Sequence, residues 1–224
     1  MSALGGGDGE DDAFPNKLST GIDILDNPEY LKGGFPKGSV VTIIANPIAT
    51  AELFMYDLAT ARRTNYFTTA RSAETVEKNL SILKRSPDDF NVIDLFSADD
   101  IFDTTMTGLE KIDREENIII DTASDLVRHD RFEDLLDVIY RVSHDTDSVT
   151  YMYMIKEDEE TMTFEESRVP HVSDVVMKML TGIEGEKVEN RLAISKIRGQ
   201  KPPEKTIKLN IGEEIVVDTS RDIA

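Results

Sequence analysis

A loop between residues 45 and 52 has the connections of a phosphate-binding site. It follows an apolar, β-branched run that ends at Ile44, and a helix-forming stretch begins near its last residues. A strand, a short loop and a helix N-terminus together direct backbone N–H groups at a phosphate. The loop contains no glycine and no lysine, so the residues that usually bind phosphate are missing. It reads Ala45, Asn46, Pro47, Ile48, Ala49, Thr50, Ala51 and Glu52.

Two further places in the chain carry residues that could do chemistry. Asp121 ends the apolar run "NIIID", where it would organise Mg²⁺ beside a phosphate or, more simply, end a buried strand with a polar residue. Lys196 and Arg198 occupy alternate positions of another strand-like run, so they would face the same side of a sheet. The three histidines are dispersed and the chain has no cysteine, which predicts no metal site.

The elements that must position these residues alternate between strands and helices. Strands are predicted over residues 39–44, 64–69, 91–96, 116–121 and 148–155. Helices are predicted over residues 51–62, 72–84 and 131–145, with a weaker one that ends near residue 112 and an acidic one over 156–166. Beyond Pro170, several strand-like runs are separated by polar turns. This order predicts an α/β fold, with a parallel central sheet flanked by helices and an antiparallel C-terminal extension.

Length and composition indicate one domain with two tails. The 224 residues, 39% of them hydrophobic, are enough for a single core. We expect an acidic, glycine-rich disordered tail over residues 1–13, a domain over 14–218 and a C-terminal tail over 219–224. No run of apolar residues is long enough to span a membrane, and the N-terminus has no signal pattern, so we expect a soluble, cytoplasmic protein.

The chain has a net charge of −19, from 44 acidic and 25 basic residues, which limits the kinds of partner it can bind. Such a surface repels nucleic acid and anionic lipid, which makes DNA or membrane binding unexpected. Two explanations for the charge stay open: a cationic partner, or a salt-rich cytoplasm that screens the repulsion. Acidic residues are spread along the whole chain rather than gathered in one tail, which favours the second explanation and predicts a halophilic archaeal source.

Several stretches together resemble the KaiC/RadA-type ATPases, which have a RecA-like P-loop NTPase fold. "LSTGIDILDNPEYLKGGFPKGSVVTII" is similar to the run that opens their domains, and "NIIIDTASDL" to their Walker B strand with Asp121 at its end. "VPHVSDVVMKML" followed by "RLAISKIRG" is similar to the end of a KaiC-type domain. The resemblance covers roughly residues 18 to 200 and implies a RecA-like fold. It also implies that Lys196 and Arg198 reach a neighbouring subunit's phosphate in a ring.

The phosphate loop departs from the family motif G-x-x-x-x-G-K-[ST], whose defined positions fall on Ala45, Thr50, Ala51 and Glu52. Residues with a Cβ atom resist the backbone curl that cradles a phosphate, and Ala51 supplies no charge where the motif has lysine. Glu52 replaces the Mg²⁺-binding hydroxyl and carries negative charge to the start of a helix. The next strand ends in residues 68–71, "TTAR", without the glutamate that would polarise water.

We therefore expect a RecA/KaiC-like protein that does not hydrolyse ATP and serves as a regulatory or assembly subunit. Its partners would be like subunits, or an active KaiC/RadA-like ATPase in a mixed ring, and no cofactor is expected. One alternative is a nucleotide-binding ATPase that uses Asn46, Thr50 and backbone N–H groups for ATP and Asp121 for Mg²⁺. That ATPase could serve DNA recombination and repair or signalling. Another alternative, also allowed by the family, is a DNA-recombination accessory protein, although no basic patch supports DNA binding.

Overall fold

A computed structural model of the protein describes residues 16–47, 49–82, 89–156, 162–184, 187–211 and 215–217. The predicted tails, 1–13 and 219–224, lie outside these ranges, as does Ile48 in the loop. The strands are β1 (Lys17–Leu18), β2 (Phe35–Pro36), β3 (Val40–Ala45), β4 (Thr64–Thr68), β5 (Phe90–Asp94), β6 (Asn117–Asp121), β7 (Val149–Ile155), β8 (Val175–Glu184), β9 (Lys187–Ile197), β10 (Ile207–Ile211) and β11 (Ile215–Val217). The helices are α1 (Asp23–Asp26), α2 (Ala51–Ala59), α3 (Ala73–Ile82), α4 (Ile101–Leu109), α5 (Ala123–Leu126), α6 (Phe132–Asp145) and α7 (Phe164–Val172).

The main sheet has the predicted mixed topology. Its strands follow the order β11-β10-β9-β8-β3-β7-β6-β4-β5. The six strands from β8 to β5 in this order are parallel, and β9, β10 and β11 extend the sheet with antiparallel pairs. Parallel neighbours need crossover connections, which is why a helix follows nearly every one of these strands. The α/β fold with an antiparallel C-terminal extension is confirmed.

Helices cover both faces of the parallel strands, which explains their almost continuous apolar sequences. On one face, alternate residues such as Val41 and Ile43 pack with Phe54 and Leu58 of α2. On the other face, the intervening residues, such as Val40, pack in a second cluster with residues of α4, α5 and α6. Strand β7 lies between β3 and β6, and the predicted core residues 151–154 on it are all buried.

The glycine-rich "KGGFPKG" segment has a structural role at the start of the domain. Strands β1 and β2 form a separate two-stranded sheet in which Leu18 pairs with Phe35. Gly34 has a φ of 115°, and a Cβ atom there would lie 2.0 Å from the carbonyl oxygen of Leu18. Only glycine fits this close approach of two backbones. The packing of these two strands therefore requires glycine at position 34.

Two predicted helix boundaries were wrong. Helix α2 ends at Ala59 rather than at residue 62, because the Thr64 hydroxyl donates a hydrogen bond to the Ala59 carbonyl (2.8 Å) and so satisfies a helix-end acceptor. The acidic helix expected over 156–166 is also displaced. Residues 157–161 lie outside the described ranges, and α7 starts only after Thr163, whose hydroxyl accepts a hydrogen bond from the backbone N–H of Glu166 (3.2 Å) in a capping box.

No helix in the described part of the chain is both long and apolar enough to cross a membrane.

Candidate functional site

The loop after β3 does not form a phosphate cradle in the residues that the structure describes. It lies at the carboxyl end of β3, as predicted, and a turn in which Ala49 N–H donates to the Asn46 carbonyl (2.9 Å) leads into α2. Among residues 45–47 and 49–52, none has a positive φ. A nest of N–H groups needs left-handed backbone alternating with right-handed backbone. The described loop residues therefore do not converge on an anion.

Glu52 brings a carboxylate to the first turn of α2. Its Oε1 accepts hydrogen bonds from the Tyr56 hydroxyl (2.7 Å) and from Asn79 Nδ2 on α3 (3.2 Å). The same oxygen forms an ion pair with Nη1 of Arg71. A carboxylate in the first turn of a helix interacts favourably with the helix dipole. The first turn of α2, where a phosphate would need positive charge, thus carries a negative group bound to three side-chain donors.

Arg71 joins this carboxylate to Asp121. Its Nη2 lies 2.7 Å from Asp121 Oδ2, and the same oxygen accepts a hydrogen bond of 2.5 Å from the Tyr66 hydroxyl. The Asp121 side chain is only 2% exposed, whereas that of Arg71 is 23% exposed. One guanidinium therefore bridges carboxylates from α2 and from the end of β6.

The strand order explains why these residues meet. Strands β4 and β6 are parallel neighbours, with Thr68 paired to Asp121, so the residues that follow β4 lie beside the end of β6. The Thr68 hydroxyl donates to the Arg71 carbonyl (2.8 Å), which holds the turn after β4. Next to it, Thr69 donates through its hydroxyl to Asp125 Oδ2 (2.8 Å) and accepts from the Thr122 N–H (2.8 Å). No carboxylate comes from the end of β4 itself.

The charges of this cluster depend on one another. Burial raises the pKa of Asp121, while the hydrogen bond from Tyr66 and the charge of Arg71 act in the opposite direction. Burial also opposes the charge on Arg71, but Asp121, Tyr56 and Glu52 outweigh it and raise the pKa of the guanidinium. Burial and the neighbouring Asp121 raise the pKa of Tyr66 well above its ordinary value. The shifts in pKa thus favour a charged Arg71 between Glu52 and Asp121, with a neutral Tyr66 beside it.

The residues present do not fit ATP with Mg²⁺, the ligand that the family resemblance implies. Glu52 and Asp121 stand at the two sequence positions that would serve the metal, and both are paired to Arg71 instead. Ala51 is fully buried and carries no charge for the phosphates. Thr50 is exposed, and its hydroxyl makes no capping hydrogen bond to α2. A triphosphate here would meet one negative carboxylate directly at the helix N-terminus.

Lys196 and Arg198 lie at the opposite edge of the parallel strands. Ile197, between these two residues, pairs with Val175 at the start of β8. The loop after β3 lies at the other end of β8, where Ala45 pairs with Met179, and we call that end the loop edge. Lys196 Nζ donates to the carbonyls of Pro170 (3.0 Å) and His171 (2.7 Å) at the end of α7. Both acceptors are carbonyls in the last turn of α7, and a cation at a helix C-terminus stabilises the helix.

Arg198 also binds groups of its own chain. Its Nε lies 2.9 Å from Asp174 Oδ1, and an Nη donates to the Val172 carbonyl. The side chain remains 58% exposed. Burial, followed by the charge of Arg198, lowers the pKa of Lys196. The pair therefore has a structural role at the end of α7, and its contact with a neighbouring subunit stays a prediction.

The sequence did not single out four residues of this site, namely Arg71, Tyr66, Tyr56 and Asn79. In the sequence, the segment "TTAR" at the end of β4 was notable only because it lacks the family's glutamate, and Arg71 is its last residue. The signal available was that an arginine and Asp121 follow two parallel strands, whose carboxyl ends share one edge of the sheet. Whether those two strands are neighbours is given only by the strand order of the folded sheet.

Comparisons with known proteins agree with this fold. The structure resembles that of a KaiC-like protein from the hyperthermophilic archaeon Pyrococcus horikoshii OT3, with a TM-score of 0.73 and 15% sequence identity. The match covers 90% of this chain and 98% of that protein, which supports a KaiC-like RecA fold. No curated protein matches the sequence. The model of a family described as a family of unknown function, DUF7125, matches residues 17–224, and the chain belongs to that family.

Proposed function

We propose that this protein is a KaiC-like subunit that does not hydrolyse ATP and acts through contacts with other proteins. The observation that carries the proposal is the Glu52 carboxylate at the start of α2, held by Arg71, Tyr56 and Asn79. An ATP-binding loop needs positive charge and N–H donors at this point. Here the first turn of α2 carries a negative group instead, bound by the side chains of Arg71, Tyr56 and Asn79, so a different hydrogen-bond network replaces the lost loop motif.

The rebuilt network distinguishes a replaced site from a merely damaged one. Random loss of a lysine and two glycines would leave Asp121 buried without a counter-charge, at a cost of several kcal/mol. Instead Arg71 neutralises Asp121 at 2.7 Å, and Tyr66 donates to the same oxygen. Such compensation supports a fold that is maintained for a purpose other than phosphate chemistry.

The protein contacts would be with like subunits or with an active KaiC/RadA-like ATPase in the cytoplasm. The chain retains the "SKIRG" run, whose Arg198 is more than half exposed on the edge opposite to the loop. In a mixed ring, this edge is the candidate surface for an ATP-binding neighbour. The net charge of −19 argues against nucleic acid as the partner.

The first test is an equilibrium titration of the purified protein with fluorescently labelled ATP and Mg²⁺ in molar KCl. We expect no saturable binding up to millimolar nucleotide, because the loop supplies neither the lysine charge nor the N–H cradle. Micromolar, Mg²⁺-dependent binding would overturn the proposal in favour of an ATPase with an unusual loop.

The second test addresses the neighbouring subunit. The tagged chain is purified from its host in molar KCl, and the ATPase activity of a KaiC/RadA-like protein that co-purifies is compared with that of the complex formed by the Arg198→Ala variant. Arg114→Ala is the matched control, because Arg114 is also exposed and paired to an acidic residue, Asp147. Equal activity in all three complexes would count against a trans-acting edge.

A further inference from the structure

We propose that a groove between α7 and the strands β8 and β9 binds an acidic peptide segment of a partner protein. The groove has a volume of about 590 Å³, within the range of about 300–1,000 Å³ that ligand sites usually have. We call it the α7 groove, and it is defined by Ser167, His171, Val176, Lys178, Ser195 and Lys196. The proposal rests on the proposed function, because it names the chemistry of a partner for a subunit that acts through protein contacts.

The first observation is a β-bulge that turns two successive side chains into the groove. Across the pair of β8 and β9, Val176 is paired with Lys196 and Met177 with Ile194, which leaves Ser195 without a partner strand residue. Successive residues of a regular strand point to opposite faces of a sheet, yet Ser195 and Lys196 both line the groove. Bulges redirect side chains in this way and are common next to active sites.

The second observation is the charge of the lining. The half-buried Lys178 and Lys196 and the exposed His171 line the groove, and no aspartate or glutamate does so among the described residues. The whole chain has 44 acidic and 25 basic residues, so a cleft lined by lysines without a carboxylate differs from the average surface. Salt screens partly buried charges less than exposed ones, and the attraction for carboxylates therefore persists in a salt-rich solution.

The third observation concerns the hydrogen bonds that the lining can offer a ligand. Lys196 Nζ donates to the carbonyls of Pro170 (3.0 Å) and His171 (2.7 Å), which uses two of the three N–H donors of an ammonium. The third N–H can donate to a carboxylate. The Ser195 hydroxyl donates to the Val176 carbonyl (3.2 Å), so its oxygen can accept a hydrogen bond from a peptide N–H.

These groups fit a peptide with carboxylate side chains better than a phosphate or a nucleic acid. Met162, Pro170 and Val176 add apolar surface for the aliphatic parts of such a peptide. Within the described chain, no arginine lines the groove to bind phosphate through two parallel hydrogen bonds, and no phenylalanine or tyrosine lines it to stack on a base. The net charge of −19 also opposes a long polyanion.

The experiment is a titration of the full chain with fluorescein-labelled hexaglutamate, followed by fluorescence anisotropy in molar KCl without nucleotide. We expect saturable binding that Lys178→Gln weakens about tenfold, the loss expected for one charge-assisted hydrogen bond. Lys178→Arg keeps the charge and should restore the affinity. Lys201→Gln is the matched control, because Lys201 is an exposed lysine paired to Glu204 outside the groove, and it should bind like the natural protein.

Amide chemical shifts of the nitrogen-15-labelled protein locate the bound peptide. Hexaglutamate should shift the amides of His171, Lys178 and Ser195 and leave that of Arg71, at the loop edge, unchanged. Absence of saturable binding, equal affinity of the natural protein and Lys178→Gln, or shifts confined to other surfaces would each overturn the proposal.

Three other occupants are separated by the same titration. Tighter binding of a labelled hexanucleotide than of hexaglutamate would overturn the proposal in favour of nucleic acid, and full displacement of the peptide by millimolar phosphate would do so in favour of a small anion. The acidic run "EDEE" at 157–160 lies just before Met162 in the sequence. If its change to "QNQQ" strengthened hexaglutamate binding tenfold, this run rather than a partner would be the occupant. None of these outcomes involves ATP, so a failure here is distinguishable from a failure of the proposed function.

Discussion

The two edges of the parallel strands differ in how much of the family-like sequence they retain. At the loop edge the phosphate motif is gone, and Arg71 bridges the partly exposed carboxylate of Glu52 and the buried carboxylate of Asp121. At the other edge the K-x-R-G run is intact, yet Lys196 and Arg198 contact backbone carbonyls of their own chain. The comparison teaches that retention of a motif and retention of its chemistry are separate matters. Where the motif is lost, three side chains form a coupled cluster; where it is intact, the half-buried Lys196 and the exposed Arg198 bind carbonyls at the end of α7.

The largest expected difference between the two edges is in how much the loss of their arginine lowers the free energy of unfolding. Arg71→Ala leaves the carboxylate of Asp121, whose side chain is 2% exposed, without its counter-charge, and we expect it to lower the free energy of unfolding by about 3–5 kcal/mol. Arg198→Ala removes a pair whose arginine is 58% exposed, and should cost less than about 1 kcal/mol. Denaturant unfolding in molar KCl measures both variants. Equal losses would mean that the loop-edge cluster is no more important to the fold than a surface pair.

The next comparison lies within the loop-edge cluster, between two tyrosine hydroxyls. Tyr66→Phe removes a 2.5 Å hydrogen bond to the buried Asp121 carboxylate, and we expect a loss of about 1.5–3 kcal/mol. Tyr56→Phe is the matched control, because its hydroxyl donates over 2.7 Å to Glu52, which is more exposed and has other donors. Its loss should be about 0.5–1.5 kcal/mol. The order of the two unfolding midpoints checks the prediction, and a reversed order would show that Glu52 depends more on its tyrosine than Asp121 does.

Most of the fold was predictable from the sequence because local patterns determine it. The β-branched runs at 39–44 and 116–121 fell on β3 and β6, and the apolar spacing over 131–145 fell on α6, within a residue or two. The exceptions depend on side chains at element ends, such as the Thr163 capping box that starts α7. Patterns of period two or 3.6 carry no information about such caps.

The candidate site was predictable only in part. The sequence placed the loop and Asp121 correctly on their elements, because strand ends can be read from apolar runs. It did not reveal that Arg71 bridges Glu52 and Asp121, since that contact joins three elements whose proximity depends on strand order. The proposed lack of nucleotide binding and the neighbouring-subunit role of Lys196 and Arg198 stay predictions.

The last comparison concerns the ionisation of one tyrosine at each edge. Burial raises the pKa of Tyr153, near Asp121, to about 12, and raises that of Tyr140, near Asp174, also to about 12, from an ordinary value of 10. A raised pKa in the folded state means that the stabilisation is complete below pH 10 and is lost as pH rises through 12. The free energy of unfolding should therefore fall across this interval.

At each edge, the charge of one arginine opposes the rise in the pKa of the tyrosine. The two edges can therefore be compared directly. Arg71 lowers the pKa of Tyr153, and Arg198 lowers that of Tyr140. Arg71→Ala should therefore delay ionisation of Tyr153 to higher pH, and Arg198→Ala should do the same for Tyr140. Phenolate absorbance, with Tyr153→Phe and Tyr140→Phe to assign the transitions, measures each pKa. A shift of Tyr140 in the Arg71→Ala variant would mean that the two edges are electrostatically coupled through the sheet, and that the charge of Arg71 is not confined to the loop edge.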